Sequence, residues 1–320
     1  MARQALQVIQ PGLATSVQDL GRTGYQQYGM VVSGAMDPFA LQVANLLVGN
    51  RRGAAALEMS LIGPELLVLQ DTMIAICGAD LTPSVDGKEI PLWQSVHVKQ
   101  GQTVRFGRPG VGVYAYLAVK GGIVVPTVMG SRSTYVKAGL GGVAGRYLKK
   151  GDVLRVGDRR HVAGNAWNRR LMPSLIPDYR PSRTIRVMLG PDLEAFDSAS
   201  IETFLSSTYC VTTQSDRMGY RLSGPKLRHV NGADIVSDAI LPGAVQVPAS
   251  GEPIILLADR QTTGGYARIA TVATVDLPYV AQMPPNSKLT FAAISVAEAQ
   301  RRLVERETLL QKISVAVYSC

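Results

Sequence analysis

Few cysteines, few histidines and little charge mark this sequence, and each shortage removes a class of function. Its three cysteines, Cys77, Cys210 and Cys320, are odd in number and far apart. That argues against a disulfide framework and against a cysteine-based zinc site, and points to a reducing, cytoplasmic compartment. The histidines His97, His161 and His229 each stand alone, and no HExxH, HxH or GxSxG occurs. Zinc-hydrolase and serine-hydrolase chemistry therefore lack their signatures, and no metal-ligand set is expected. The longest apolar run, residues 113–119, is far short of the ~20 residues a membrane span needs. Residues 1–12 contain no apolar core of a secretory signal, so none is expected.

What is present is a glycine-rich, apolar chain: 32 glycines in 320 residues, 46% apolar and only 18% charged. That composition excludes a disordered chain, and the length suits two ordinary domains or one large β domain. Residues 74–77, 96–98, 104–106 and 113–119 are rich in β-branched or aromatic residues and are separated by glycines, as strands joined by tight turns would be. Residues 186–189, 244–247, 254–258 and 268–272 repeat that texture. Helices are few. Asp37 before Pro38 predicts a helix over 38–47, and Ser295 with Glu298 forms a capping box for one running to about Gln311.

Two short echoes suggest a duplication. Gln18-Asp19-Leu20-Gly21-Arg22-Thr23-Gly24-Tyr25 is echoed by Gln214-Ser215-Asp216-Arg217-Met218-Gly219-Tyr220. Leu61-Ile62-Gly63-Pro64-Glu65-Leu66 is echoed by Leu222-Ser223-Gly224-Pro225-Lys226-Leu227, in the same order. Six arginines and several prolines fall within 159–183, which reads as a linker. The expected division is a β-domain over 1–160, a linker over 161–183 and a second β-domain with a terminal helix over 184–320.

The net charge of +9 favours anionic ligands or an acidic partner. No basic helix with interleaved aromatics carries it, so nucleic acid is set aside. Gly139 to Ala144 matches a loose G-x-G-x-x-A, but Gly145 to Gly151 is too short for the helix a dinucleotide site requires, and no Walker loop occurs. Polar clusters in glycine-rich turns remain, around Asp19 and Arg22, Ser33 and Asp37, Arg132 and Ser133, Asp216 and Arg217, and Asp259 to Tyr266. Glycine lets the backbone approach an anion, and arginine offers it a two-pronged fork. Each cluster also has a structural reading: Asp37 as a helix cap, Asp19 and Asp216 as partners of Arg22 and Arg217, 262–265 as a hairpin loop, and Asn45, Asn50 and Glu58 as satisfiers of buried backbone.

The run Pro11-Gly12, Ser16-Val17-Gln18-Asp19-Leu20-Gly21-Arg22, Ser33-Gly34-Ala35-Met36-Asp37, Cys77-Gly78-Ala79-Asp80, Gly130-Ser131-Arg132-Ser133-Thr134, Ser215 to Leu222 and Asp259-Arg260-Gln261-Thr262-Thr263-Gly264-Gly265-Tyr266 resembles the KipA/PxpC family. These are components of bacterial 5-oxoprolinase, related to the carboxyltransferase domain of urea carboxylase and often labelled allophanate hydrolase subunit 2. The resemblance spans about residues 8–291. It implies a mainly β fold of two tandem cyclophilin-like β-barrels. It also implies ATP-dependent opening of 5-oxo-L-proline to L-glutamate, with magnesium, by a hetero-oligomer that includes a KipI/PxpB-like protein and a PxpA-like protein.

On that resemblance, Asp37, Asp216 and Asp259 are the catalytic candidates. Arg22, Ser33, Arg132, Ser133, Arg217, Gln246, Arg260, Thr262, Thr263, Gly264 and Tyr266 are candidates for holding substrate or phosphate. Two other activities stay open. One is a biotin-dependent carboxyltransferase acting on an amide or urea-like substrate, although the chain has no M-K-M tripeptide of its own. The other is a regulator that binds and antagonises a KipI-like histidine-kinase inhibitor.

Overall fold

A computed structural model describes residues 2–107, 109–157 and 168–318. The chain divides into two compact units, one of residues 1–22, 33–179 and 308–320, the other of residues 23–32 and 180–307.

In the first unit, β1 (Arg3–Gln10) and β2 (Ala14–Gln18) precede helix α1 (Pro38–Leu47). Then come β3 (Ala56–Ser60), β4 (Glu65–Val68), β5 (Thr72–Gly78) and the short β6 (Ser84–Val85) and β7 (Lys88–Glu89). Strands β8 (Ser95–Val98), β9 (Thr103–Arg105), β10 (Tyr114–Val119), β11 (Ile123–Val124) and β12 (Val153–Val156) complete its sheets. They form a seven-stranded sheet in the order β11-β12-β1-β4-β9-β6-β7 and a five-stranded sheet in the order β2-β3-β10-β5-β8. Leu6, Val8, Leu66 and Val104 from the first sheet meet Leu57, Ile74, Ile76 and Leu117 from the second in one core. Strands β5 and β10 are buried at every residue, because α1 packs on them. That is why they read as continuous apolar runs, whereas β12 alternates exposed and buried positions. Asp37 caps α1, accepting from Ala40 N at 2.9 Å, with Pro38 in its first turn.

The second unit contains β13 (Ser182–Leu189), α2 (Ser198–Ser206), β14 (Tyr209–Val211), β15 (Gly219–Ser223), β16 (Asp234–Ala239), β17 (Ala244–Gln246) and β18 (Ile254–Leu256). These are followed by β19 (Thr263–Tyr266), β20 (Arg268–Val272), α3 (Leu277–Ala281) and β21 (Lys288–Ala293). The long α4 (Val296–Tyr318) begins in this unit, and its part from Thr308 onward belongs to the first. Seven strands close into a barrel, β13-β20-β17-β18-β15-β14-β21, and β16 and β19 form a separate ribbon. Closure comes from β13, which pairs antiparallel with β20 and parallel with β21 from Ser182↔Lys288 to Val187↔Ala293. Phe204 of α2 stacks on Phe291 of β21 with ring centroids 4.3 Å apart, which seats α2 against the barrel wall.

Of the two tandem barrels expected, strand pairing closes one, in the second unit; among the described residues the first unit's strands form two sheets. In the first unit β11 and β7 end one sheet while β2 and β8 end the other, and among the described residues no strand pair joins these edges. The linker expectation falls partly on residues 161–167, outside the described residues. Its remainder begins bonded to the first unit: Ser95 N donates to Arg169 O, Leu171 N donates to Trp93 O, and Gln94 bridges Arg170. The helix expected from Ser295 begins where its cap places it, with Glu298 N donating to Ser295 Oγ at 3.1 Å, and it runs past Gln311 to Tyr318.

The two echoes fold alike locally. Asp19 accepts from Gly21 N at 2.8 Å and Asp216 from Met218 N at 2.7 Å, the same turn closed two residues on. A Cβ on Gly63 would stand 2.5 Å from the Phe106 ring, and one on Gly224 2.6 Å from the Tyr209 ring. Each echo thus seats a glycine beneath an aromatic side chain.

Candidate functional site

Three polar groups gather the candidate residues. The first is built on Asp19, at the end of β2. Its carboxylate accepts from Gly21 N at 2.8 Å, and from Ser131 Oγ, Ser133 Oγ and Arg132 N at 2.6 Å each. A carboxylate has about four acceptor positions, so Asp19 is fully used in pinning residues 131–133. Ser33 Oγ and Gln18 Nε2 both donate to Thr134 O, at 2.9 and 3.1 Å. Arg22, 1% exposed, donates from Nη2 to Ser133 O. Arg22, Ser33, Arg132 and Ser133 are therefore brought together.

The glycine-rich loop 139–145 closes over this group. Gly141 has φ +68°, and a Cβ there would stand 2.1 Å from Ser133 O and 2.8 Å from Arg22 Nη2. Close approach to this cluster, and not a dinucleotide, accounts for glycine at that position.

The second group surrounds Asp37. Its Oδ1 caps α1 and its Oδ2 accepts from Tyr179 Oη at 2.6 Å. Asp37 N donates to Tyr116 Oη at 2.8 Å, and Tyr116 Oη donates to Glu58 Oε2 at 2.7 Å, which also accepts from Met36 N at 2.9 Å. Asp37 and Glu58 are both buried. Sequence reasoning missed Tyr116 and Tyr179; an acidic Glu58 inside an apolar strand was the one available signal. Burial pushes the Tyr116 phenol well above its ordinary value, and the charges of Glu58 and Asp37 add to the rise. The Cys77 thiol is likewise raised well above 9.0, first by burial and then by Asp37.

The raised thiol has a consequence for alkaline stability. Unfolded Cys77 releases its proton as pH passes about 9, while the folded chain keeps it, so the native state binds more protons and stability falls as pH rises. Melting temperature is expected to drop between about pH 8.5 and 10, less steeply in Cys77→Ala. Equal slopes in the two proteins would remove Cys77 as the cause.

The third group lies in the barrel unit. Arg217 holds Asp259 in a two-pronged pair, Nε to Oδ2 at 2.9 Å and Nη2 to Oδ1 at 3.0 Å. Asp216, in the exposed turn before it, accepts from the backbone N–H groups of Met218 and Gly219. Arg260 is 7% exposed and meets carbonyls instead of carboxylates: Nε donates to Ile240 O at 3.2 Å and Nη1 to Leu257 O at 3.3 Å. Desolvation lowers its pKa to about 10. Gln246, buried at the end of β17, donates to Tyr266 O at 3.2 Å. Thr262 lies just before β19, and Thr263, Gly264 and Tyr266 lie in it.

Arg268, missed in the sequence, donates from Nε to Asp192 Oδ2 at 2.7 Å and pairs with Asp238 at 2.9 Å. Among the described residues no group of three His, Cys, Asp or Glu side chains assembles to hold a metal ion. His229 Nε2 meets Val247 O at 2.9 Å and its ring packs on Phe196, a structural role; His161 lies outside the described residues. No helix is long and apolar enough to cross a membrane among the described residues.

Comparison with known proteins covers nearly the whole chain. It is 38% identical over 309 residues to the C subunit of the 5-oxoprolinase of Escherichia coli (strain K12), spanning 97% of each. It is 35% identical over 323 residues to the urea amidolyase of Saccharomyces cerevisiae, covering 96% of this chain and 18% of that protein. The crystal structure of the Kluyveromyces lactis urea amidolyase superimposes with a TM-score of 0.92 at 32% identity, over 98% of this chain and 20% of that one. The model of the carboxyltransferase domain, subdomain A and B, matches residues 28–293, and the chain belongs to that family.

Proposed function

We propose that this chain is the KipA/PxpC component of a 5-oxoprolinase, working with partner proteins to open 5-oxo-L-proline to L-glutamate with consumption of ATP. The observation that carries this reading is the end-to-end match, 38% identity across 97% of both chains, to the Escherichia coli 5-oxoprolinase component. A lactam resists water because amide resonance stabilises it and nitrogen leaves poorly. Phosphorylating its oxygen gives an imidate that water attacks, and the protein's task is to hold anionic oxygens and handle protons.

The barrel unit offers what that task requires. Arg260 is a buried cation without a carboxylate partner among the described residues, and the Arg217–Asp259 pair includes its neighbour in sequence. Asp259 is the candidate for proton handling there. In the other unit, Arg22, Ser33, Arg132 and Ser133 form a rigid, hydrogen-bonded cluster, and Asp37 sits in a buried network of its own. No residue group among those described forms a magnesium cage, so a magnesium ion would arrive with the nucleotide phosphates. The partners proposed are a KipI/PxpB-like protein and a PxpA-like protein.

The test is glutamate release from 5-oxoproline and ATP by this chain with and without both partners. Turnover that requires all three and consumes ATP is the expected result. A well-formed complex without turnover would instead favour the regulatory role. The urea amidolyase match supports a second reading, carboxyl transfer to an amide nitrogen. That reading predicts dependence on bicarbonate and a biotinylated chain, and inhibition by avidin.

A further inference from the structure

We propose that Arg260, together with Gln246 and the 262–265 turn, forms a receptor for a single carboxylate-type monoanion, filled during the reaction by the carboxylate of the substrate. The identity of that substrate rests on the 5-oxoprolinase reading; the monoanion preference does not.

A guanidinium has five N–H donors in a planar fork. In Arg260 two of them are taken, by Ile240 O and Leu257 O, and Nη2 has no partner among the described residues. A charge this buried is costly without a counter-ion, and the described residues supply none. The neighbouring arginines are already neutralised. Arg217 is matched by Asp259, and Arg268, which also donates to the adjacent carbonyl Ala239 O at 3.0 Å, is matched by Asp192 and Asp238. Of these three arginines Arg260 alone has no carboxylate partner among the described residues, and one carboxylate would pair it. A phosphoryl dianion would call for a second free cation.

The surroundings are neutral and polar. A Cβ on Gly264 would stand 2.8 Å from Gln246 Nε2 and 3.2 Å from the Ile240 side chain. The Ile240 carbonyl accepts from Arg260 Nε, and its N–H donates to Thr262 O at 2.9 Å. Gln246, Gly264 and Thr262 are thereby gathered about Ile240, the residue whose carbonyl Arg260 holds. The hydroxyls of Thr262 and Thr263 make no hydrogen bond among the described residues. The unused N–H donors of Nη2 can meet a carboxylate oxygen while Nε and Nη1 keep their carbonyls, a planar arrangement that lysine cannot reproduce. Carboxylate and bicarbonate share this chemistry.

The test measures melting temperature of the full chain with 5-oxo-L-proline, its neutral amide 5-oxo-L-prolinamide, bicarbonate or inorganic phosphate. At saturation the acid is expected to raise it by about 2–5 °C and the amide not at all. Arg260→Gln should abolish the shift. In the assembled complex Arg260→Lys should raise KM for 5-oxo-L-proline about tenfold or more and leave KM for ATP within about twofold. Should Arg260→Gln fail to fold, the acid–amide comparison and Arg260→Lys still decide.

Equal stabilisation by acid and amide, stabilisation retained in Arg260→Gln, a stronger shift with phosphate, or no shift with any monoanion would each overturn the receptor. A shift with bicarbonate alone, lost in Arg260→Gln, would uphold the monoanion receptor and overturn both the substrate assignment and the 5-oxoprolinase reading beneath it.

Discussion

Arg217→Ala is expected to cost about 3–5 kcal/mol of folding stability, because it strands the Asp259 carboxylate in a buried position without its counter-ion. The pair is two-pronged, at 2.9 and 3.0 Å, and the two side chains are 11% and 9% exposed. The backbone bond from Asp259 N to Arg217 O, at 2.8 Å, survives the change and holds the two turns together. The defect is thus an unpaired charge more than a lost fold. Adding Asp259→Asn should recover part of the loss, since a neutral amide is less costly to bury. Urea denaturation of the two single variants and the double variant measures the coupling. A loss below about 1 kcal/mol for Arg217→Ala would show that solvent reaches Asp259 and that the pair is a surface contact. Asp259→Asn alone leaves the Arg217 guanidinium without its carboxylate and should also lose stability, so glutamate release is measured well below its melting temperature, where it should be abolished; normal turnover there would take Asp259 out of the chemistry.

Asp19→Ala is expected to cost a similar amount, about 3–5 kcal/mol, for a different reason. Four donors, from Gly21, Ser131, Arg132 and Ser133, lose one shared acceptor. The loop that Gly141 lays against Ser133 then loses its support. Asp216→Ala is the matched control. Asp216 occupies the equivalent turn in the later copy of that echo but is exposed, and it accepts from Met218 N and Gly219 N of the same turn. About 1 kcal/mol or less should be lost there. Equal losses at the two positions would mean that the Ser131–Ser133 contacts add nothing.

These contrasts show where sequence reasoning reaches and where it stops. Asp37-Pro38 located α1 because capping is a local event, and β-branched and aromatic richness between glycines located eight of the 21 described strands for the same reason. The clusters around Arg132 and around Arg260 stood out because glycine, hydroxyls and arginine were adjacent in the chain. Tyr179, 142 residues from Asp37, and Asp192, 76 residues from Arg268, left no local trace. Helix α2 was hidden because its apolar face is thin; only Ser200 and Phe204 are buried. The Arg-rich stretch after 159 read as a linker on composition, yet backbone bonds at Arg169 and Leu171 attach its later part to the first unit. Composition cannot report a backbone bond. Whether a β unit closes into a ring depends on one strand pairing, and in the barrel that pairing joins Ser182 to Lys288, far apart in the chain.

The parallel β13–β21 seam also sets an order of events while the chain is being made. Strand β13 is the first of the barrel to leave the ribosome and β21 the last, so one edge of β13 must wait, unpaired, through the synthesis of everything between them. Strand β14 waits with it, since it too borders β21. Until residue 293 emerges, the half-built barrel carries two open strand edges able to pair with another nascent chain. A ribosome that stalls or terminates before Lys288 would release a sheet that cannot close, so premature termination late in the message should yield aggregates more than soluble fragments.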